Sequence, residues 1–158
     1  DTGSTFYFTI PYVLADSDST AKEIDDKPFT PQLYKWHDKV FLIAEDEDAN
    51  CMFFQEALYK TKVQILWAKN GKEAVNVFLS NPGIDLVLMD IKMPVMNGNE
   101  ASKIIKTKFP DIPIIAQTAY SSEADRAKAL NHGCDDFISK PLNKKKLLDM
   151  IHKHIEMK

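Results

Sequence analysis

Val40-Phe-Leu-Ile-Ala-Glu45-Asp46 opens a pattern that the chain repeats three times, as Leu86-Val-Leu-Met-Asp90, Ile114-Ile-Ala-Gln-Thr118 and Phe137-Ile-Ser-Lys140-Pro141. Each run is apolar over most of its length, as expected of parallel strands buried on both faces. Each ends on a residue able to hold a metal ion or a phosphoryl group. If the strands lie parallel in one sheet, three carboxylates, a hydroxyl and an ammonium meet at its carboxyl edge. Open α/β sheets place their chemistry at that edge. The pattern points to an aspartate that accepts a phosphoryl group.

Outward from these runs, the sequence alternates strand and helix with short connections. Strands are expected at 39–44, 63–67, 85–89, 112–116 and 136–139. Asp48 is placed to cap a helix carrying Phe53, Phe54, Ala57 and Leu58. Asn70 with Glu73 reads as a capping box before Ala74, Val75 and Phe78. Pro94 to Gly98 is turn chemistry, and Ala101, Ile105 and Phe109 recur at helical spacing after it. Ser121 or Ser122 opens a fourth helix whose inner face is only Ala124, Ala127 and Leu130, and Gly133 ends it. Leu147, Leu148, Ile151 and Ile155 line a last helix. Five βα units with short links imply right-handed crossovers and helices on both faces. The expected fold is a doubly wound, flavodoxin-like α/β sheet with strand order 2-1-3-4-5. Its fourth helix, with the thinnest apolar face, is held least firmly and is the expected seat of switching.

The composition narrows the function classes. A chain of 158 residues that is 44% apolar, with nine Phe, can fill a core. A net charge of −3 leaves no basic excess for nucleic-acid phosphates. The run Lys144-Lys145-Lys146 reads as a solvated helix start. Cys51 and Cys134 have no metal-like spacing and suit a reduced, cytoplasmic setting. No apolar stretch reaches the ~20 residues of a membrane helix.

Glu45, Asp46 and Asp90 would crowd three negative charges together. At ~4 Å and an effective dielectric near 20, each close pair costs about 4 kcal/mol. A divalent cation removes that cost, and carboxylate oxygens without His or Cys select Mg²⁺ or Mn²⁺. Asp90 is the expected nucleophile, because it ends the central strand without an acidic neighbour. Thr118 can donate to one phosphoryl oxygen, and Lys140 can neutralise another.

Residues 38–158 resemble the receiver domain of two-component response regulators. The resemblance rests on Glu45-Asp46, the run Asp90-Ile-Lys-Met-Pro94-Val-Met-Asn-Gly98, Thr118-Ala119 and Lys140-Pro141. It implies that a histidine on a partner phosphorylates Asp90, with Mg²⁺ held by Glu45, Asp46, Asp90 and the backbone carbonyl of Lys92. It implies that Thr118 and Lys140 contact the phosphoryl group, that Lys140–Pro141 is a cis peptide, and that Phe137 is an aromatic switch acting with Thr118. The acidic pair is Glu-Asp where the family also has Asp-Asp. Residues 1–12, with Gly3-Ser4-Thr5-Phe6-Tyr7-Phe8-Thr9-Ile10-Pro11, look like the closing strand of a histidine-kinase ATP-binding domain. Residues 13–37 then read as an interdomain linker.

The expected function is therefore a phosphoacceptor receiver in a phosphorelay, and the chain looks like the C-terminal part of a hybrid sensor histidine kinase. Its expected partners are the kinase core of the same parent chain and a histidine phosphotransfer protein. Homodimerisation is expected through the orphan strand Thr5–Ile10 or through the face of the fourth and fifth helices. Two alternatives stand beside this. A haloacid-dehalogenase-type enzyme also forms an aspartyl phosphate but wants Asp where Lys92 stands. A stand-alone single-domain regulator would have no use for the N-terminal strand.

Overall fold

The computed structural model describes residues 34–119 and 130–156. In chain order these form β1 (Val40–Ala44), α1 (Asp48–Leu58), a 3₁₀ turn (Tyr59–Thr61), β2 (Gln64–Ala68), α2 (Gly71–Ser80), β3 (Leu86–Asp90), α3 (Gly98–Lys108), β4 (Ile114–Thr118), β5 (Asp136–Ser139) and α4 (Lys144–Glu156). The five strands make one sheet in the order β2-β1-β3-β4-β5, as the sequence pattern predicts. Every pairing is parallel.

The period of two in each strand sorts its side chains onto two cores. Leu42, Ala44, Val87, Met89, Ile114 and Ala116 face Phe78 of α2 and Ile105 of α3. Phe41, Ile43, Leu86, Leu88, Ile115 and Ile138 face Phe54 and Leu58 of α1 and Leu147 and Ile151 of α4. Both faces of β1, β3 and β4 are thus sealed, which explains their unbroken apolar runs. Full burial of a Leu or Ile contributes about 1.5–3 kcal/mol, so Leu147 and Ile151 are the main apolar anchors of α4, with Leu148, Met150 and Ile155 packed beside them.

Element edges differ from the sequence reading for local reasons. β4 starts at Ile114, because Pro113 has no N–H to give the ladder and uses only its carbonyl, which accepts from Val87 N–H at 2.9 Å. β3 starts after Asp85, whose N–H donates to the Val40 carbonyl at 2.8 Å while its carboxylate, not its carbonyl, accepts from Val40 N–H at 2.9 Å. Asp48 is not a cap: Glu47 holds the N-cap position of α1 without a side-chain bond to the helix backbone, and Asp48 pairs with Lys69 at 2.6 Å. At α2, Asn70 accepts from Glu73 N–H, but the Glu73 carboxylate reaches Lys69 N–H instead of closing the box. The complete capping box is Asn97–Glu100 at the start of α3. Phe109 is the C-cap of α3, 41% exposed, with its ring edge-on to Phe78 at 5.2 Å.

Tyr34 and Trp36 fall within the span 13–37 read as linker, yet both are buried. Trp36 N–H donates to Thr61 carbonyl at 2.7 Å, and its ring lies 5.4 Å from that of Phe41. Tyr34 stacks on Trp36 at 5.2 Å and donates to Asp149 Oδ1 at 2.6 Å. These two aromatics extend the core shared by α1 and α4. The expected helix opening at Ser121 or Ser122, with Ala124 and Ala127, and the expected strand Thr5–Ile10 lie outside the described residues. Gly133 follows Leu130 and Asn131 with φ +91°, the left-handed geometry that suits glycine after a helix.

Candidate functional site

Parallel register carries the strand-terminal residues to one edge of the sheet. Asp90 lies opposite Gln117, and Thr118 opposite Ser139. Glu45 N–H bonds Ala68 carbonyl at 3.0 Å, and Lys140 N–H bonds Thr118 carbonyl at 2.8 Å, so both continue their strands by one residue. The short connections then turn away, leaving the side chains clustered above the edge.

Glu45, Asp46 and Asp90 present carboxylate oxygens that all lie within 4.8 Å of one another. Glu45 is fully buried, Asp90 is 5% exposed, and Asp46 is open to solvent. Lys140 bridges the two buried ones, with Nζ 2.5 Å from Asp90 Oδ2 and 3.0 Å from Glu45 Oε2. Burial alone would lower the Lys140 ammonium, but its hydrogen bonds to Asp90 and Glu45 outweigh that and raise its pKa. Burial pushes the Glu45 carboxyl up, against the hydrogen bonds from Asn50 and Lys140 that favour its charged form. Among the described residues, the three carboxylates gather around the Lys140 ammonium, which pairs with two of them. The excess negative charge, the all-oxygen donor set and the open side at Asp46 fit a hard divalent cation.

The other Asp90 oxygen, Oδ1, accepts from the backbone N–H of Lys92 at 3.0 Å. The loop that delivers this N–H is pinned by Gly98, whose N–H bonds Ile91 carbonyl at 3.0 Å. A Cβ on Gly98 would run into the Asp90 carbonyl, so this close approach requires glycine. Between them, Pro94 carbonyl accepts from Met96 N–H at 2.7 Å around Val95, which has φ 68°. The Lys140–Pro141 peptide is cis. Thr118 ends β4 and is 8% exposed. Phe137 lies opposite Ala116 and is half-buried against the core on the α2–α3 side.

The structure thus brings together Glu45, Asp46, Asp90, Thr118 and Lys140. It also brings the Lys92 amide into contact with Asp90. The sequence reading missed Asn50, whose Nδ2 donates to Glu45 Oε1 at 2.9 Å and Glu47 Oε2 at 3.0 Å. Only its place in the first turn of the helix after Glu45 could have flagged it. Lys69 and Cys51 flank the site too, with Cys51 Sγ 3.7 Å from the Glu45 carbonyl.

Comparison with known proteins gives one consistent result. The model of the response regulator receiver domain matches residues 41–152. The Hybrid signal transduction histidine kinase I of Dictyostelium discoideum is 38% identical over 122 residues, covering 72% of this chain and 7% of the kinase. The Autoinducer 2 sensor kinase/phosphatase LuxQ of Vibrio vulnificus is 31% identical over 148 residues, covering 93% of this chain and 17% of that protein. The chain therefore spans only a small part of these two relatives. Among solved structures, the receiver domain of Ssk1 from Saccharomyces cerevisiae, crystallised with the histidine phosphotransfer protein Ypd1, is 33% identical. It superposes with a TM-score of 0.73 over 80% of this chain and 93% of that one.

Proposed function

The chain belongs to the response regulator receiver domain family, and from that premise we propose that Asp90 is its phosphoacceptor, served by Glu45, Asp46, Thr118 and Lys140. The observation that carries the reading is the convergence of three carboxylates within 4.8 Å beside one lysine at the carboxyl edge of the sheet. A carboxylate oxygen of Asp90 attacks phosphorus, the P–N bond to a phosphohistidine ring breaks, and its electron pair leaves on the ring nitrogen. Mg²⁺ or Mn²⁺, held by Glu45, Asp46, Asp90 and the Lys92 carbonyl, would neutralise charge on the phosphoryl oxygens. Lys140 exchanges its contact with Asp90 Oδ2 for one with a phosphoryl oxygen. Lys92 N–H orients Asp90 through Oδ1. The Thr118 hydroxyl, near the end of β4, donates to a further phosphoryl oxygen, and Phe137 turns inward behind it.

The same reading extends to the parent protein. Residues 1–12 belong to an upstream kinase ATP-binding domain, the span 13–37 leads from it into the receiver with Tyr34 and Trp36 already in the receiver core, and the partner is that kinase core or a histidine phosphotransfer protein. Support comes from the LuxQ alignment, whose 93% coverage takes in much of the segment before residue 34, and from the Ssk1–Ypd1 co-crystal structure. The haloacid-dehalogenase alternative gains nothing from the site, since position 92 offers an exposed lysine side chain. No helix among the described residues is long and apolar enough to cross a membrane.

Intact-mass measurement of the purified chain with phosphoramidate tests the reading. One added phosphoryl group in the presence of Mg²⁺, and none in excess chelator, is the expected result. Equal labelling with and without chelator would overturn the metal-assisted scheme.

A further inference from the structure

Glu45 poses a problem that the metal reading does not solve. Its carboxylate is fully buried, and it carries one more rotatable bond than an aspartate at the same position would. A ligand of that kind needs an anchor on the oxygen that does not face the cation. Lys140 reaches Oε2 at 3.0 Å and, at a longer 3.4 Å, Oε1, but Lys140 also binds Asp90 and is the group that must leave for a phosphoryl oxygen. What remains on Oε1 is the Asn50 amide at 2.9 Å and a longer contact from Glu47 N–H at 3.3 Å. The second hydrogen of the same amide goes to Glu47 Oε2 at 3.0 Å, which ties that exposed carboxylate to the helix start. Asn50 itself is fixed by the first turn of α1, a rigid element with Phe54 in the core.

We propose that Asn50 is the positioning residue of the metal site: its amide holds Glu45 Oε1 so that Oε2 faces the cation once Lys140 has moved. The inference rests on the assignment of Glu45 as a ligand. Groups that orient a metal ligand typically change metal affinity 10- to 100-fold when removed. A neutral donor suits this role, since a second ammonium beside Glu45 would compete with the cation and a carboxylate would repel Glu45.

Mn²⁺ binding to the purified chain, followed by electron paramagnetic resonance titration, tests the proposal. Asn50→Ala and Asn50→Leu should each weaken Mn²⁺ binding by roughly 10-fold or more, with thermal melting in chelator close to wild type. In a Glu45→Asp background the carboxylate ends one methylene short of Asn50, so Asn50→Ala should change affinity less than about twofold. An equal loss in both backgrounds would overturn the positioning role, because a general disturbance of α1 acts on either carboxylate. Unchanged affinity in both Asn50 variants, with binding lost in Asp90→Asn, would also overturn it while leaving the metal site standing. Unchanged affinity in Asp46→Ala and Asp90→Asn would refute the metal site itself.

Discussion

Lys140 Nζ sits 2.5 Å from Asp90 Oδ2 while also reaching Glu45 Oε2 at 3.0 Å, so one ammonium is shared between the two buried carboxylates of the site and offsets part of their charge. The contact both stabilises the cluster and occupies the oxygen that the reaction needs. A cation and a phosphoryl group arriving together would take over that work and release the lysine.

This relationship predicts the behaviour of Lys140→Met. Without the ammonium, Glu45 and Asp90 face each other uncompensated, and removing one partner of a buried pair is strongly destabilising. Because the Lys140 side chain is 20% exposed, we expect a smaller loss, about 2 kcal/mol in the absence of metal. Mg²⁺ should then raise the melting temperature of the variant more than that of the wild type. A variant that melts like wild type without metal would contradict the charge balance described for the site.

Val95 predicts a gain in stability. It is 81% exposed, so its side chain buries little, yet its backbone sits at φ 68° in a tight turn. A β-branched residue there is strained, at a cost of order 1–3 kcal/mol. Val95→Gly removes the strain and gives back part of it as extra freedom of the unfolded chain. Urea denaturation should show a net gain of about 1 kcal/mol. A loss of stability would mean that the turn is not strained.

Tyr34 predicts a specific alkaline response. Burial, the hydrogen bond to Asp149 and the nearby charges of Asp149 and Glu156 push its phenol up to about 12. The folded value lies above the unfolded value of about 10, so the contribution is fully present below pH ~10 and is lost as pH rises toward 12. Tyr34→Phe should cost about 1 kcal/mol at neutral pH, with the gap to wild type narrowing above pH ~10. Denaturation curves at both pH values check this, and a gap independent of pH would contradict it.

The parts of this protein legible in its sequence are those fixed by burial and register. β1, β3 and β4 lie under helices on both sides, so their apolar runs and charged or hydroxyl ends were readable together. Asn50 was not, because a polar residue in the first turn of a helix looks solvated until Glu45 is seen buried beside it. Tyr34 and Trp36 look like linker in the sequence for a similar reason. Their polar surroundings in the chain hide a role that exists only once Phe41, Thr61 and Asp149 are brought near. The left-handed Val95 runs against its own propensity, and only the closing of the loop between Asp90 and Gly98 imposes it.

The central claim is that Asp90 is the phosphoacceptor, and phosphoramidate labelling of Asp90→Asn beside the wild type tests it most directly. An amide has no charged oxygen to attack phosphorus, so the variant should take up no phosphoryl group while wild type gains one that peptide mass spectrometry places on Asp90. Full labelling of Asp90→Asn, or a wild-type phosphoryl group found on another residue, would contradict the account.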